Sequence, residues 1–133
     1  MTHKTFIKKY LKHNKWYIEN NTLYILCGLN FMGSNIKILP EKLSINRYLD
    51  LYGTNITSLP NNLYITGWLD LRKTKIESLP ETLSVSCNIH VDNEILMSEK
   101  TQLNLIQQNK SHFKIIKNPT SKTKTLHKLL WEI

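Results

Sequence analysis

Few side chains in this 133-residue chain combine reactive chemistry with regular spacing, and those that do recur every twenty positions. Asp50, Asp70 and His90 form one such row. Carboxylates and an imidazole are groups that move protons or ligate metals. A second row runs Gly28, Tyr48, Trp68, Asn88, and a third runs Met32, Tyr52, Arg72, Asp92. Tyrosine, tryptophan and arginine dominate the energetics of protein interfaces. The acid–imidazole row does not read as a reaction centre. Its spacing follows from the period alone, and side chains in a row splay where a metal needs three or four converging ligands. There is also no glycine-rich phosphate loop, no nucleophile elbow and no Cys-x-x-Cys pair. The expectation is therefore a non-enzymatic protein with no cofactor and no metal. Its candidate site is a binding face with Tyr48, Tyr52 and Trp68 as anchors. Asp50, Asp70 and Arg72 would set register, and His90 extends the acidic row. A local reading stands beside this one: Trp68 packs over Tyr48 as a cross-strand pair with Arg72 alongside.

These rows need a scaffold that repeats with the same step. Leu39, Leu59 and Leu79 align, each followed by proline. So do Leu43, Leu63 and Leu83, and likewise Ile25, Ile45, Ile65 and Val85. Leu29, Leu49, Leu69 and Ile89 form another column, with Phe31, Leu51, Leu71 and Val91 two places on. Ser34, Thr54 and Thr74 precede Ile36, Ile56 and Ile76 by two. A fixed period of this size marks a solenoid, in which each unit buries its apolar side only against its neighbours. The Leu-x-Leu pair reads as a strand with alternate residues inward. The Leu-Pro step reads as a turn across the convex side, where proline fixes φ and needs no donor. Outward residues of adjacent strands would lie about 5 Å apart, forming a continuous concave patch.

The run Leu49-Asp50-Leu51-Tyr52-Gly53-Thr54-Asn55-Ile56 and its copies resemble the leucine-rich repeat. Two departures are visible. Thr54 and Thr74 stand where that family has a turn-bonding asparagine, and Asn46 and Thr66 replace its first leucine. The twenty-residue form looks most like short repeats of bacteriophage and large-virus proteins and of bacterial effectors. The resemblance covers roughly residues 17 to 97. It implies an α/β-type solenoid with about four short parallel-strand repeats. It also implies a protein-binding module, with a host protein, such as a component of a defence system, as target. Effectors of this kind can carry a separate ligase domain with a catalytic cysteine, but both cysteines here fall within the repeats.

The ends read as caps, in an arrangement of 1–18 (helical), 19–97 (solenoid) and 98–133 (mixed α/β) that makes one structural domain. Residues 4 to 13 suggest a helix with Phe6, Ile7, Tyr10 and Leu11 on one face, covering the first open edge. Trp16 to Leu26 alternates around Asn20-Asn21 and reads as a hairpin-like entry to the first repeat. Towards the C-terminus, helices are expected near 101–109 and 122–132, with a short strand around Phe113, Ile115 and Ile116.

The formal net charge is +8, concentrated at the two ends. Residues before 19 carry five lysines and no acid, and residues after 95 carry seven lysines against Glu99 and Glu132. The repeats between are slightly acidic. Hence a competing reading: nucleic-acid binding through Lys8, Lys9, Lys12, Lys114, Lys117, Lys122 and Lys124. Against it, nearly all the bases are lysine, with little arginine. Solvated cap surfaces account for the same charge. A third reading is homo-oligomerisation, as a monomer–weak dimer equilibrium, through the concave face or an incompletely capped edge. Cys27 and Cys87 share a column three units apart, roughly 14 Å, beyond the ~7 Å a disulfide spans. With no apolar signal region and no membrane span, the expected location is the cytoplasm, that of the host if the protein is viral.

Overall fold

Leucine and isoleucine alternate with polar residues twice in every unit, and both alternations form strands. The computed structural model describes residues 1–92 and the strand at 114–117. A helix α1 (His3–Tyr10) is followed by a hairpin of β1 (Trp16–Glu19) and β2 (Thr22–Ile25). The coil then runs through β3 (Leu29–Asn30), β4 (Leu43–Ile45), β5 (Leu49–Asp50), β6 (Leu63–Ile65), β7 (Leu69–Asp70), β8 (Ser84–Val85) and β9 (Asn88–Val91). The last described strand is β10 (Lys114–Lys117).

The strands form two sheets, one ordered β1-β2-β4-β6-β8 and the other β10-β9-β7-β5-β3. Among the described residues all pairings are parallel except β1 with β2. The result is a β-solenoid of about 3 turns. Register matches the twenty-residue step without slippage: Leu23 pairs with Leu43 and Leu43 with Leu63, while Leu29 pairs with Leu49 and Leu49 with Leu69.

The first sheet corrects the expectation that each repeat holds one strand on a concave side and a bare turn opposite. Leu43 and Ile45 point inward from one sheet, Leu49 and Leu51 from the other, and all are fully buried. Ile36, Ile56, Ile76, Leu39, Leu59 and Leu79 close the core from the third side of each coil, where the Leu-Pro steps run. The described coils contain no helix, so the described part of the expected α/β solenoid is a β-solenoid with one short N-terminal helix.

That helix sits where the sequence places it. Thr2 caps it, its hydroxyl accepting from the Thr5 amide at 3.1 Å. A side-chain cap satisfies a donor the first helical turn leaves open. Phe6 and Leu11 are buried, and Ile7 and Tyr10 pack against the core. The rings of Phe6 and Tyr10 lie 6.2 and 5.3 Å from Phe31, edge-on, over the start of the Leu-x-Leu sheet. His3 Nε2 donates to the Glu41 carbonyl at 2.7 Å and ties the helix to the second coil.

The hairpin also forms as expected. Asn20 and Asn21 adopt φ of 48° and 64°, the left-handed values that a two-residue hairpin turn requires and that asparagine tolerates. β10 coincides with the expected C-terminal strand and pairs with β9. The two expected C-terminal helices lie outside the described residues.

Candidate functional site

The outer face of the Leu-x-Leu sheet carries the candidate residues. Tyr48 immediately precedes β5 and Trp68 precedes β7, so their rings stand on adjacent rungs. They stack face to face with centroids 4.7 Å apart and planes within 9°. His90 of β9 meets Trp68 edge-on at 6.1 Å. At the other end of the row the Tyr48 ring covers Gly28: a Cβ built there would fall 2.2 Å from Tyr48 Cε1. The result is a ladder of three rings ending on a bare glycine. Tyr48, Trp68 and His90 are all half-buried.

Arg72 has a ring neighbour that the local reading did not name. Its guanidinium lies over Tyr52 at 5.3 Å. It also grips Asp70: Nε donates to Oδ1 at 3.0 Å and Nη2 to Oδ2 at 2.6 Å. Such forked, charge-assisted pairs are geometrically specific. The hydrogen bond to Asp70 is the main cause holding the Arg72 pKa above its ordinary value, against an opposing loss of hydration; the charges of Asp70, Tyr52 and Asp50 add to it. Arg72 is thus a fixed cation, and its side chain remains 45% exposed.

The acidic row is committed to the turns. Asp50 Oδ1 accepts from the Tyr52 amide at 3.0 Å and Asp70 Oδ1 from the Arg72 amide at 3.0 Å. Asn30 does the same for Met32. Each is a side chain bonding its own backbone two residues on, as aspartate and asparagine do in turns. Asp70 is 4% exposed. Its outward contact runs through Arg72, while Asp50 stays half-buried. Two residues further, Thr54 Oγ1 donates to the Leu51 carbonyl at 2.8 Å and Thr74 Oγ1 to the Leu71 carbonyl at 2.7 Å. The threonine hydroxyls thus bond the turn backbone from the position where the resembled family carries asparagine. Among the described residues no group of three or more His, Cys, Asp or Glu side chains could hold a metal ion.

The other sheet presents a second outer face that the sequence reading missed. Tyr24, Ser44, Tyr64 and Ser84 alternate along it. With Thr22, Asn62 and Thr82 they line a shallow groove of about 410 Å³. The signal was present, since Leu43-Ser44-Ile45 alternates as cleanly as Leu49-Asp50-Leu51. Tyr24 stacks on Tyr17 of the hairpin at 4.7 Å, whereas Tyr64 is 42% exposed.

Of the basic candidates, Lys8, Lys9 and Lys12 are exposed at the N-terminal end, with Lys9 5.4 Å from the Tyr10 ring centre. Lys114 and Lys117 bound β10, and Lys122 and Lys124 lie outside the described residues. Cys27 and Cys87 are both free thiols. No described helix is long and apolar enough to cross a membrane.

The scaffold and the ladder together define a class, a parallel β-solenoid carrying a ring-and-arginine face. Comparison with protein-family models, curated proteins and solved structures returns no match.

Proposed function

We propose that this chain is a non-enzymatic protein-binding module whose recognition surface is the outer face of the Leu-x-Leu sheet. The observation that carries the reading is the continuous ladder Tyr48–Trp68–His90 beside the Tyr52–Arg72–Asp70 cluster. Stacked aromatic rings offer large contact area whose ordering is already complete, so little conformational entropy is lost on binding. Arg72, aligned by Asp70 and backed by Tyr52, offers its exposed edge to a partner's carboxylate or carbonyl. The resemblance of the repeat to those of phage and large-virus proteins supports a host protein as the target, with inhibition of a defence component as the consequence.

The test is a pull-down from host lysate treated with nuclease, comparing wild type with a Tyr48→Ala/Trp68→Ala variant of unchanged circular dichroism. A protein retained by wild type and lost by the variant supports the assignment. Bound material that disappears with nuclease and ignores the substitutions moves the activity to Lys8, Lys9 and Lys12 and to nucleic acid, whose affinity would fall steeply with salt.

A further inference from the structure

Among the described residues, the solenoid's first edge is left open on one of its two sheets. Helix α1 covers Phe31, at the start of the Leu-x-Leu sheet. The first sheet ends instead on β1, and all four residues of β1 are exposed. Trp16 and Ile18 pair with Ile25 and Leu23, so they share the inward side of the sheet. Yet they remain 41% and 49% exposed, because among the described residues no further coil lies beneath them.

The free edge follows from the ladder. The Leu26 amide donates to the Lys15 carbonyl at 2.9 Å, which makes Lys15–Leu26 a hydrogen-bonded pair. Antiparallel pairs alternate between bonded and non-bonded. Tyr17 and Glu19 therefore bond β2, and the amides and carbonyls of Trp16 and Ile18 point away from it. β2 agrees, since the Leu23 amide and the Ile25 carbonyl bond the next coil at Lys42 and Asn46. Among the described residues no strand pairs with the outer edge of β1.

We propose that a second copy of this chain occupies that edge, β1 pairing antiparallel with β1 of the partner about a two-fold axis at Tyr17. The segment Lys15-Trp16-Tyr17-Ile18-Glu19 is its own complement in this register. Lys15 falls opposite the second copy's Glu19, and Glu19 opposite its Lys15. Trp16 falls opposite Ile18, an aromatic–β-branched pair of the kind that stabilises antiparallel ladders. Tyr17 meets its own copy at the non-bonded position. The outward-pointing groups of Trp16 and Ile18 then exchange the hydrogen bonds each lacks. Among the described residues, neither Lys15 nor Glu19 forms an ion pair within the chain. So short an interface falls in the small, transient size class, and the dimer is concentration-dependent.

Sedimentation equilibrium across a concentration series tests this, together with charge reversal. Wild type is expected to move from 15.6 kDa towards twice that mass. Glu19→Lys and Lys15→Glu should each weaken self-association by about tenfold or more, since each sets like charges opposite. An equimolar mixture of the two variants should recover it, because both cross-strand pairs become attractive again. Ile18→Pro removes an amide facing the open edge and leaves the β2 bonds in place. It should give a monomer of near-native melting temperature. A wild type that stays monomeric throughout would overturn the proposal. So would a dimer unaffected by charge reversal, which would lie on another surface. Loss of self-association would leave the Tyr48/Trp68 pull-down unchanged, so the two assignments fail independently.

Discussion

The two sheets of the coil bury the same kinds of residue and expose very different ones. Inward, Leu43, Leu63 and Ile65 on one sheet match Leu49, Leu69 and Leu71 on the other, all at or near zero exposure. Outward, the first sheet alternates tyrosine with serine, and the second stacks Tyr48, Trp68 and His90 and adds an arginine–aspartate clasp. Packing therefore fixes the inner rows of both sheets and leaves the outer rows free to differ. A specialised surface laid on one of two equivalent scaffolds is what the proposed binding face requires, since the core demands nothing of it.

The sharpest test of that equivalence is truncation inside. Leu69→Ala and Leu43→Ala should each cost about 2–5 kcal/mol by leaving a cavity, read by chemical denaturation. A negligible loss at Leu43 alone would make the first sheet an accessory and break the symmetry. Gly67→Ala comes next. A Cβ there would lie 1.8 Å from the Arg47 carbonyl oxygen, and a backbone neighbour cannot swing aside. The coil must shift, at about 3 kcal/mol, visible as a lowered melting temperature. Outside, Trp68→Ala should weaken partner binding by about 2 kcal/mol or more in calorimetry with the captured partner, with folding retained. Thr54→Val deletes the hydroxyl bond to Leu51, and about 1 kcal/mol of stability should go with it. Smallest of all, Tyr64→Ala on the opposite outer face should change partner affinity by less than about 0.5 kcal/mol. A Tyr64 effect equal to that of Trp68 would mean that both faces bind.

How much of this the residues announce depends on whether inward packing or outward geometry decides the feature. The period, the inward columns, the N-terminal helix and the Asn20-Asn21 turn were all legible. Each follows from hydrophobic spacing or from one residue's tolerance of left-handed backbone. The second sheet was hidden by resemblance rather than by sequence. A family with one strand per repeat drew attention to Leu49-x-Leu51 and away from the equally regular Leu43-x-Ile45. In the site, adjacency of the rows was legible, because strand spacing dictates it. The partners were not. Whether Arg72 lies over Trp68 or over Tyr52, and whether Asp70 faces out or bonds its own turn, depends on side-chain rotamers. Left-handed backbone at Lys42, Asn62 and Lys73 also went unseen. Of these only asparagine hints at it, and at Lys73 the conformation is accompanied by an Asp92 bond to its amide at 3.0 Å.

The reversal of direction at β1 has a consequence for growth. A stack of parallel coils is an open-ended template: its first rung could receive the last rung of another molecule, and repeated addition would build a filament. The Asn20-Asn21 turn folds an antiparallel strand across that rung. An incoming coil then finds a template of the wrong polarity, and a strand that pairs there by two-fold symmetry uses up both edges at once. The hairpin thus ends parallel stacking at the edge of the first sheet.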